Sequence, residues 1–406
     1  MSTTIDSTDR TPTRSAHPTP TSARLPVIDM LRGLALLGIV LVNMTLFKTA
    51  PSIEHLAATS VEGQWDRIAA VVVKVLAEGK FIGLFSLLFG FGVATQVARL
   101  QRVHGRWRAT YVRRLAALFL IGAIHLVFVW FGDILTTYAL VGIVLMLFVN
   151  RAPRTQLVWA LGILGTLTTA ALALLVVAWS PAASALDTAQ RAAAAADVAE
   201  AERLTAVYHL GSYLELVQER ATTPGGLMFG LTFSPVVLAM MLLGMYAART
   251  GLFTDDAGHG SRLRTLARFG LGLGIPLNLL VVGVQAAGGF FTVLAGQVLL
   301  MSLAAPVLTI GIAATGVLVH ERRPLRHLQA AGRLALSNYL IQSVVLSTVF
   351  YGYGLGLFGQ VGAAAGVCIA LALYALQLLA SRWWLTRFDS GPVERAWRWM
   401  TYGGRR

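Results

Sequence analysis

The chain has 406 residues, 56% of them hydrophobic and 13% charged, with a formal net charge of +14. Soluble domains carry roughly a quarter charged residues, so this composition excludes an ordinary soluble protein. The single cysteine, Cys368, excludes an intramolecular disulfide framework. The basic residues sit in the gaps between apolar runs, which argues against a nucleic-acid binder.

Residues 1–24 are rich in Ser, Thr and Pro and lack an apolar core, so they read as a disordered tail. Apolar runs that reach or approach the roughly 17–25 residues of a bilayer crossing begin near Leu31, Phe81, Leu115, Ile134, Gln156, Phe229, Phe269, Thr292, Arg333 and Leu355. This predicts an all-α, polytopic membrane helix bundle of about ten transmembrane helices. Every second gap is basic. The first holds Arg99, Arg102, Arg106, Arg108, Arg113 and Arg114; later ones hold Arg151 and Arg154, then Arg249, Arg262, Arg264 and Arg268, then Arg322, Arg323 and Arg326. The alternation places both termini in the cytoplasm. It divides the chain into a membrane half at 25–179, an extracytoplasmic helical segment at 180–228, a second membrane half at 229–387 and an interfacial C-terminal helix at 388–406.

In the first span Asp29 and Arg32 share a face at the cytoplasmic end, and Asn43, eleven residues after Arg32, returns to nearly that face. This polar face marks either a ligand-facing surface or an anchor pair with a helix–helix hydrogen bond. Residues 48–80 read as an extracytoplasmic loop with an interfacial helix near Trp65–Ala77, and His55 as a surface residue. In the next span Gly83, Ser86, Gly90 and Gly92 form a small-residue strip suited to close helix packing or to the approach of a ligand. The Arg-rich gap after it suits anionic lipid or a polyphosphate head group.

His125 lies about ten residues into its span, about 15 Å deep, and is the ionisable side chain expected nearest the bilayer centre. Asp133 follows eight residues later near the outer surface, about 80° away around an ideal helix, so one straight helix would keep the two apart. Asp133 also fits an N-cap of the following span. In the second half Asn338 and Gln342, four apart, give the densest polar face, while Asn278, Gln285 and Gln297 read as interhelical hydrogen bonds. No Walker loop, HExxH, cysteine pair or GxSxG is present, and no metal site is expected.

Five blocks carry a resemblance: DMLRGLALLGIVLVN at 29–43, KFIGLFSLLFGFG at 80–92, RRLAALFLIGAIHLVFVWFGDILTTYALVG at 113–142, GRLALSNYLIQS at 332–343 and FDSGPVERAWRWMTYG at 388–403. In this order they resemble the YeiB-type bacterial membrane proteins with a C-terminal domain of unknown function. The first half, through Asp29, Leu31, Arg32 and Gly33, is similar to the transmembrane acyltransferases, which include the lysosomal heparan glucosaminide acetyltransferases. That resemblance implies a bacterial plasma-membrane enzyme. It would take an acyl group, acetyl above all, from cytoplasmic acyl-CoA and deliver it to a hydroxyl or amine of a small molecule, glycan or lipid. His125 and Asp133 would be catalytic, with Arg32, Asn43, Gly90, Gly92, Arg113, Arg114, Asn338 and Gln342 about the substrate and cofactor. The expected partners are the bilayer, acyl-CoA and the acceptor, with no metal. Small-residue faces after Leu271 and Leu355 allow a homodimer. The alternatives are a transporter or exporter of a small or amphipathic molecule, and a structural or sensory membrane protein.

Overall fold

A computed structural model describes residues 25–50, 63–103, 107–180, 187–223, 225–253 and 259–403. The 1–24 tail, His55 and Arg106 lie outside the described residues. All regular elements among the described residues are helical. The first, α1 (Pro26–Lys48), begins on a proline, which fits the first turn, and is buried along most of its length. The chain continues through α2 (Gln64–Leu76) with α3 (Lys80–Val103), α4 (Trp107–Phe128), α5 (Leu135–Leu145) and α6 (Pro153–Ala178). Two helices, α7 (Asp187–Leu210) and α8 (Tyr213–Thr222), lie across the end of the bundle remote from the arginines. The second half contains α9 (Gly225–Thr232), α10 (Ser234–Arg249), α11 (His259–Ala286), α12 (Phe290–Leu299) running through a π-turn into α13 (Ala305–Arg322), α14 (Arg326–Arg333), α15 (Ala335–Phe350), α16 (Ala363–Leu385) and α17 (Pro392–Tyr402).

Seven of these helical runs are long and apolar enough to cross a membrane, and the bent pair α9–α10 makes an eighth. Two shorter apolar helices, 135–148 and α15, complete the set, so each of the ten apolar runs of the sequence has its helix. Two boundaries differ from expectation. The ninth run, expected from near Arg333, starts its helix at Ala335, because Leu334 breaks it from α14. The last span starts at Ala363, because 351–362 is a run of turns.

The centre of the bundle is α10, apolar and buried from Val237 to Met245, with α3 as its main neighbour. Without a strong hydrophobic drive between helices in lipid, close backbone contact carries the association. A Cβ on Gly90 would stand 1.9 Å from the Met241 carbonyl oxygen, and one on Gly244 would stand 1.8 Å from that of Leu87. Gly90 is therefore a packing residue, not a ligand-approach residue as the small-residue strip allowed.

The stretch 64–102 is read from sequence as an outer loop with an interfacial helix near Trp65–Ala77, then a span; that helix is present as α2, and the departure is its continuity with the span. The whole stretch is one 39-residue apolar run interrupted at 77–79. Gly79 adopts φ +80, a conformation open to glycine, and α2 stops there while α3 begins. The Phe81 ring lies against Gly38, halfway along α1, so the break sits deep in the bundle. It carries Glu78 and Lys80. Lys80 is fully buried and its Nζ donates to the Lys74 carbonyl (2.8 Å). His125 is thus not the sole ionisable group in the interior. Trp65, Ile68, Val72 and Leu76, all exposed and at helical spacing, form the apolar outer face of α2.

Arg203 on α7 bonds Glu200 (2.8 Å) and Glu219 of α8 (2.8 Å), joining the two outer helices. These bonds hold both carboxyls below their ordinary range. A depressed carboxyl pKa adds stability that is present above the unfolded value, about 4.3, and is lost as pH falls through the folded value. The groups are solvent-accessible, so the contribution stays under about 1 kcal/mol. Protection of the α8 amides against hydrogen exchange should therefore fall below about pH 4, and Arg203→Gln should show the lower protection already at neutral pH. Equal protection in wild type at pH 7 and pH 3 would contradict this.

Candidate functional site

The site forms where α4 ends. After Phe128 the helix ends on a wide turn, the amides of Val129 and Trp130 both donating to the His125 carbonyl (2.9 Å each). Two side chains of α8 cap the freed carbonyls: Arg220 Nε donates to Val127 O (2.9 Å) and the Tyr213 hydroxyl to Phe128 O (3.0 Å). The chain then folds back through 131–134 into α5. Because the helix has ended, the expected 80° separation does not apply, and Asp133 returns to the ring it follows by eight residues. His125 Nδ1 and Asp133 Oδ2 are 2.8 Å apart, with both side chains essentially inaccessible. Gly122 leaves the space: a Cβ there would stand 2.9 Å from Asp133 Oδ1.

Asp133 does two jobs. Its Oδ1 accepts from the Thr136 amide and hydroxyl (2.8 Å each), capping α5 from one residue before the N-cap Ile134 and not from the N-cap position expected of it, while Oδ2 faces His125. A carboxylate only accepts, so the proton between the pair belongs to Nδ1. In the neutral imidazole Nε2 is then the basic nitrogen, and among the described residues it has no hydrogen-bond partner. The imidazole packs against Tyr339 (centroids 5.2 Å apart) and the edge of Trp130 (6.3 Å).

Asp133, Trp130 and Tyr339 also line a cavity of about 550 Å³ in the half of the bundle away from the arginines. That volume is within the range of small-molecule sites. Asn43, Tyr138 and Ser86 share this wall, the two hydroxyls 2.8 Å apart. Lys74, Glu78, Gln285 and Gln297 reach the cavity from the broken span and from α11 and α12. There Gln285 Nε2 donates to Gln297 (3.0 Å), and Gln297 Nε2 donates to Glu78 (2.9 Å). The interhelical role expected of these glutamines thus extends to the half-buried carboxylate of Glu78.

The remaining expected residues lie elsewhere. Asn338 spends its amide on Ala331 O (3.1 Å) and Ser381 (2.9 Å), and Gln342 bonds Gln377 (2.7 Å). They tie α15 to α16 and do not line the cavity; Tyr339, between them in sequence, does. Arg32 pairs with Asp29 (3.1 Å) beside Gly92. Arg113 reaches Thr401 O (3.4 Å), and the Arg114 guanidinium stacks on Trp397 at 3.8 Å. These arginines are gathered at the opposite end of the bundle under α17, and none lines the cavity. The C-terminal helix is therefore docked onto α4 and not only interfacial. Gly391 precedes it at the cap position and Pro392 opens its first turn. Among the described residues no group of three or more His, Cys, Asp or Glu is placed to hold a metal.

Fold and site define a polytopic helical membrane protein with a buried His–Asp pair beside an internal cavity. Residues 247–404 match the family described as "Protein of unknown function (DUF418)". Over 96% of both chains the sequence is 34% identical to "Uncharacterized protein YxaH" of Bacillus subtilis (strain 168). It is 28% identical to "Uncharacterized protein YeiB" of Escherichia coli (strain K12), covering 92% of this chain and 95% of that one. The chain belongs to this YeiB-type family. No solved structure matches it.

Proposed function

We propose that the protein is a membrane-embedded acyltransferase of the bacterial plasma membrane, with both termini cytoplasmic. It would move an acyl group, acetyl above all, from cytoplasmic acyl-CoA to a hydroxyl or amine acceptor in the cavity. The observation that carries this reading is the His125 Nδ1–Asp133 Oδ2 contact of 2.8 Å, which leaves a basic, unpartnered Nε2 beside the cavity. Asp133, fixed on both oxygens, holds the imidazole in one tautomer. The acceptor oxygen or nitrogen attacks the thioester carbonyl while Nε2 takes its proton. Asn43 donates to the oxyanion, and the C–S bond then breaks with return of the proton to the CoA thiolate. Tyr339 and Trp130 turn aside to open the path to Nε2. Arg32, Arg113 and Arg114 supply positive charge for the CoA phosphates at the cytoplasmic end.

Acetyl-CoA should raise the melting temperature of the purified protein, and ATP should not; a ligand at about a hundred times its dissociation constant adds roughly 2.7 kcal/mol. Labelled acetyl should then pass from acetyl-CoA to a membrane extract. A second reading, transport of a small or amphipathic molecule, draws support from the broken span at Gly79, since half-helices at mid-depth are a habit of secondary transporters. No shift at millimolar acetyl-CoA together with solute uptake by proteoliposomes would favour it.

A further inference from the structure

At one place the wall between the cavity and the outside of the bundle is a single helix, α2. Ala69, Ala70, Val73 and Lys74 line the cavity from one face of it. At about 100° per residue the opposite face holds Trp65, Ile68, Val72 and Leu76, which are 44–75% exposed. On a run long and apolar enough to cross a membrane, such a face meets acyl chains and not water. The helix packs against α16 and α11 and ends at the Gly79 break. Cavity and hydrocarbon are thus one helix apart.

Along α3 the lining runs for about two turns from Glu78 through Ile82 and Gly83 to Ser86, beside Met240 of α10. Between its polar ends this stretch is apolar. The volume, about 550 Å³, is that of a site for one small molecule, which favours one acyl chain over a two-chain lipid. At the Glu78 end the polar groups form a directed chain. A carboxylate only accepts, so Gln297 turns its amide nitrogen to Glu78 (2.9 Å) and its oxygen to the Gln285 nitrogen (3.0 Å). This direction leaves Gln285 Oε1 as the free end. Gln285 lines the cavity, is 2% exposed, and its Oε1 has no hydrogen-bond partner among the described residues. An amide oxygen accepts, so the group it lacks is a donor. Lys74, which also lines the cavity, sets positive charge near Glu78, so a neutral hydroxyl answers the deficit without a further charge.

We propose that the cavity takes a neutral single-chain amphiphile directly from the bilayer, past α2. Its hydroxyl-bearing head donates to Gln285 Oε1 beside Gln297 and Glu78, and its chain lies along the apolar lining of α3 and α10. The inference rests on the cavity alone and is independent of the transfer chemistry.

The test uses the purified full chain in phosphatidylcholine nanodiscs and tritiated monooleoylglycerol. The probe should bind saturably, one molecule per chain. Oleate, with the same chain and a head that only accepts, should compete at least about tenfold more weakly. Monobutyrin, with the same head and a chain too short to hold it in the bilayer, should not compete even in large excess. Gln285→Leu should weaken binding roughly five- to tenfold. Ala70→Phe, which fills the cavity from α2, should abolish it. Competition by monobutyrin equal to that by unlabelled monooleoylglycerol would mean that the cavity fills from water, and would overturn the proposal. So would oleate competing as well as monooleoylglycerol, the absence of saturable binding, or equal binding in wild type and Gln285→Leu. If Ala70→Phe does not fold, the Gln285→Leu comparison and the monobutyrin competition decide the matter.

Discussion

If the protein is the proposed acyltransferase, His125→Gln should yield a folded protein that transfers acetyl at least about 10²-fold more slowly than wild type, the scale of a lost general base. Glutamine is chosen over alanine because its amide can still donate toward Asp133 Oδ2, whereas alanine would leave a buried carboxylate oxygen unpaired, at a cost of about 3–5 kcal/mol. Asp133→Asn is the sharper test. Its oxygen can still accept from the Thr136 amide, so the cap of α5 survives. Its nitrogen, however, faces Nδ1 as a donor and forces the proton to Nε2, the wrong tautomer for a base. By analogy with other oriented histidines the loss is about 10²–10⁴-fold. Because the pair acts as a unit, the double variant should be little worse than either single one. Transfer within about threefold of wild type in His125→Gln would remove the imidazole from the chemistry. Transfer lost in His125→Gln but kept in Asp133→Asn would reduce Asp133 to a helix cap.

The order of the apolar helices was legible because apolar length is a one-dimensional property. The His–Asp contact was not. Both residues stood out individually, but their meeting depends on α4 stopping at Phe128, and the capping groups that stop it, Arg220 and Tyr213, lie 93 and 85 residues away in sequence. The same limit hid the broken span. Lys74, Glu78 and Lys80 resemble loop charges until the Gly79 turn carries Lys80 against the Lys74 carbonyl and Gln297 reaches Glu78 from another helix. Asn338 and Gln342 show the converse. Their helical spacing was read correctly, yet the face they share turns to α16, and the intervening Tyr339 turns to the cavity.

Gly90 and Gly92 separate packing from ligand contact, since both stood as ligand-approach residues and the structure gives them different neighbours. A Cβ at Gly90 meets the backbone of Met241, with the oxygen at 1.9 Å and the carbonyl carbon at 2.6 Å, and no side-chain rotation relieves this. The α3–α10 crossing would have to open by more than about 1 Å, where overpacking alone costs about 1–3 kcal/mol and separation forfeits the close contact that holds helices together in lipid. The nearest atom to a Cβ at Gly92 is the terminal Arg32 Nη2 at 3.4 Å, which can give way. Gly90→Ala should therefore lower the melting temperature markedly and Gly90→Leu should yield no monodisperse protein, while Gly92→Ala should behave as wild type in size-exclusion chromatography. Because α3 also supplies Gly83 and Ser86 to the cavity, residual Gly90→Ala protein should lose ligand binding only in proportion to its folded fraction. A Gly90→Ala protein with wild-type stability and no acetyl-CoA response would instead place that glycine against the acyl donor.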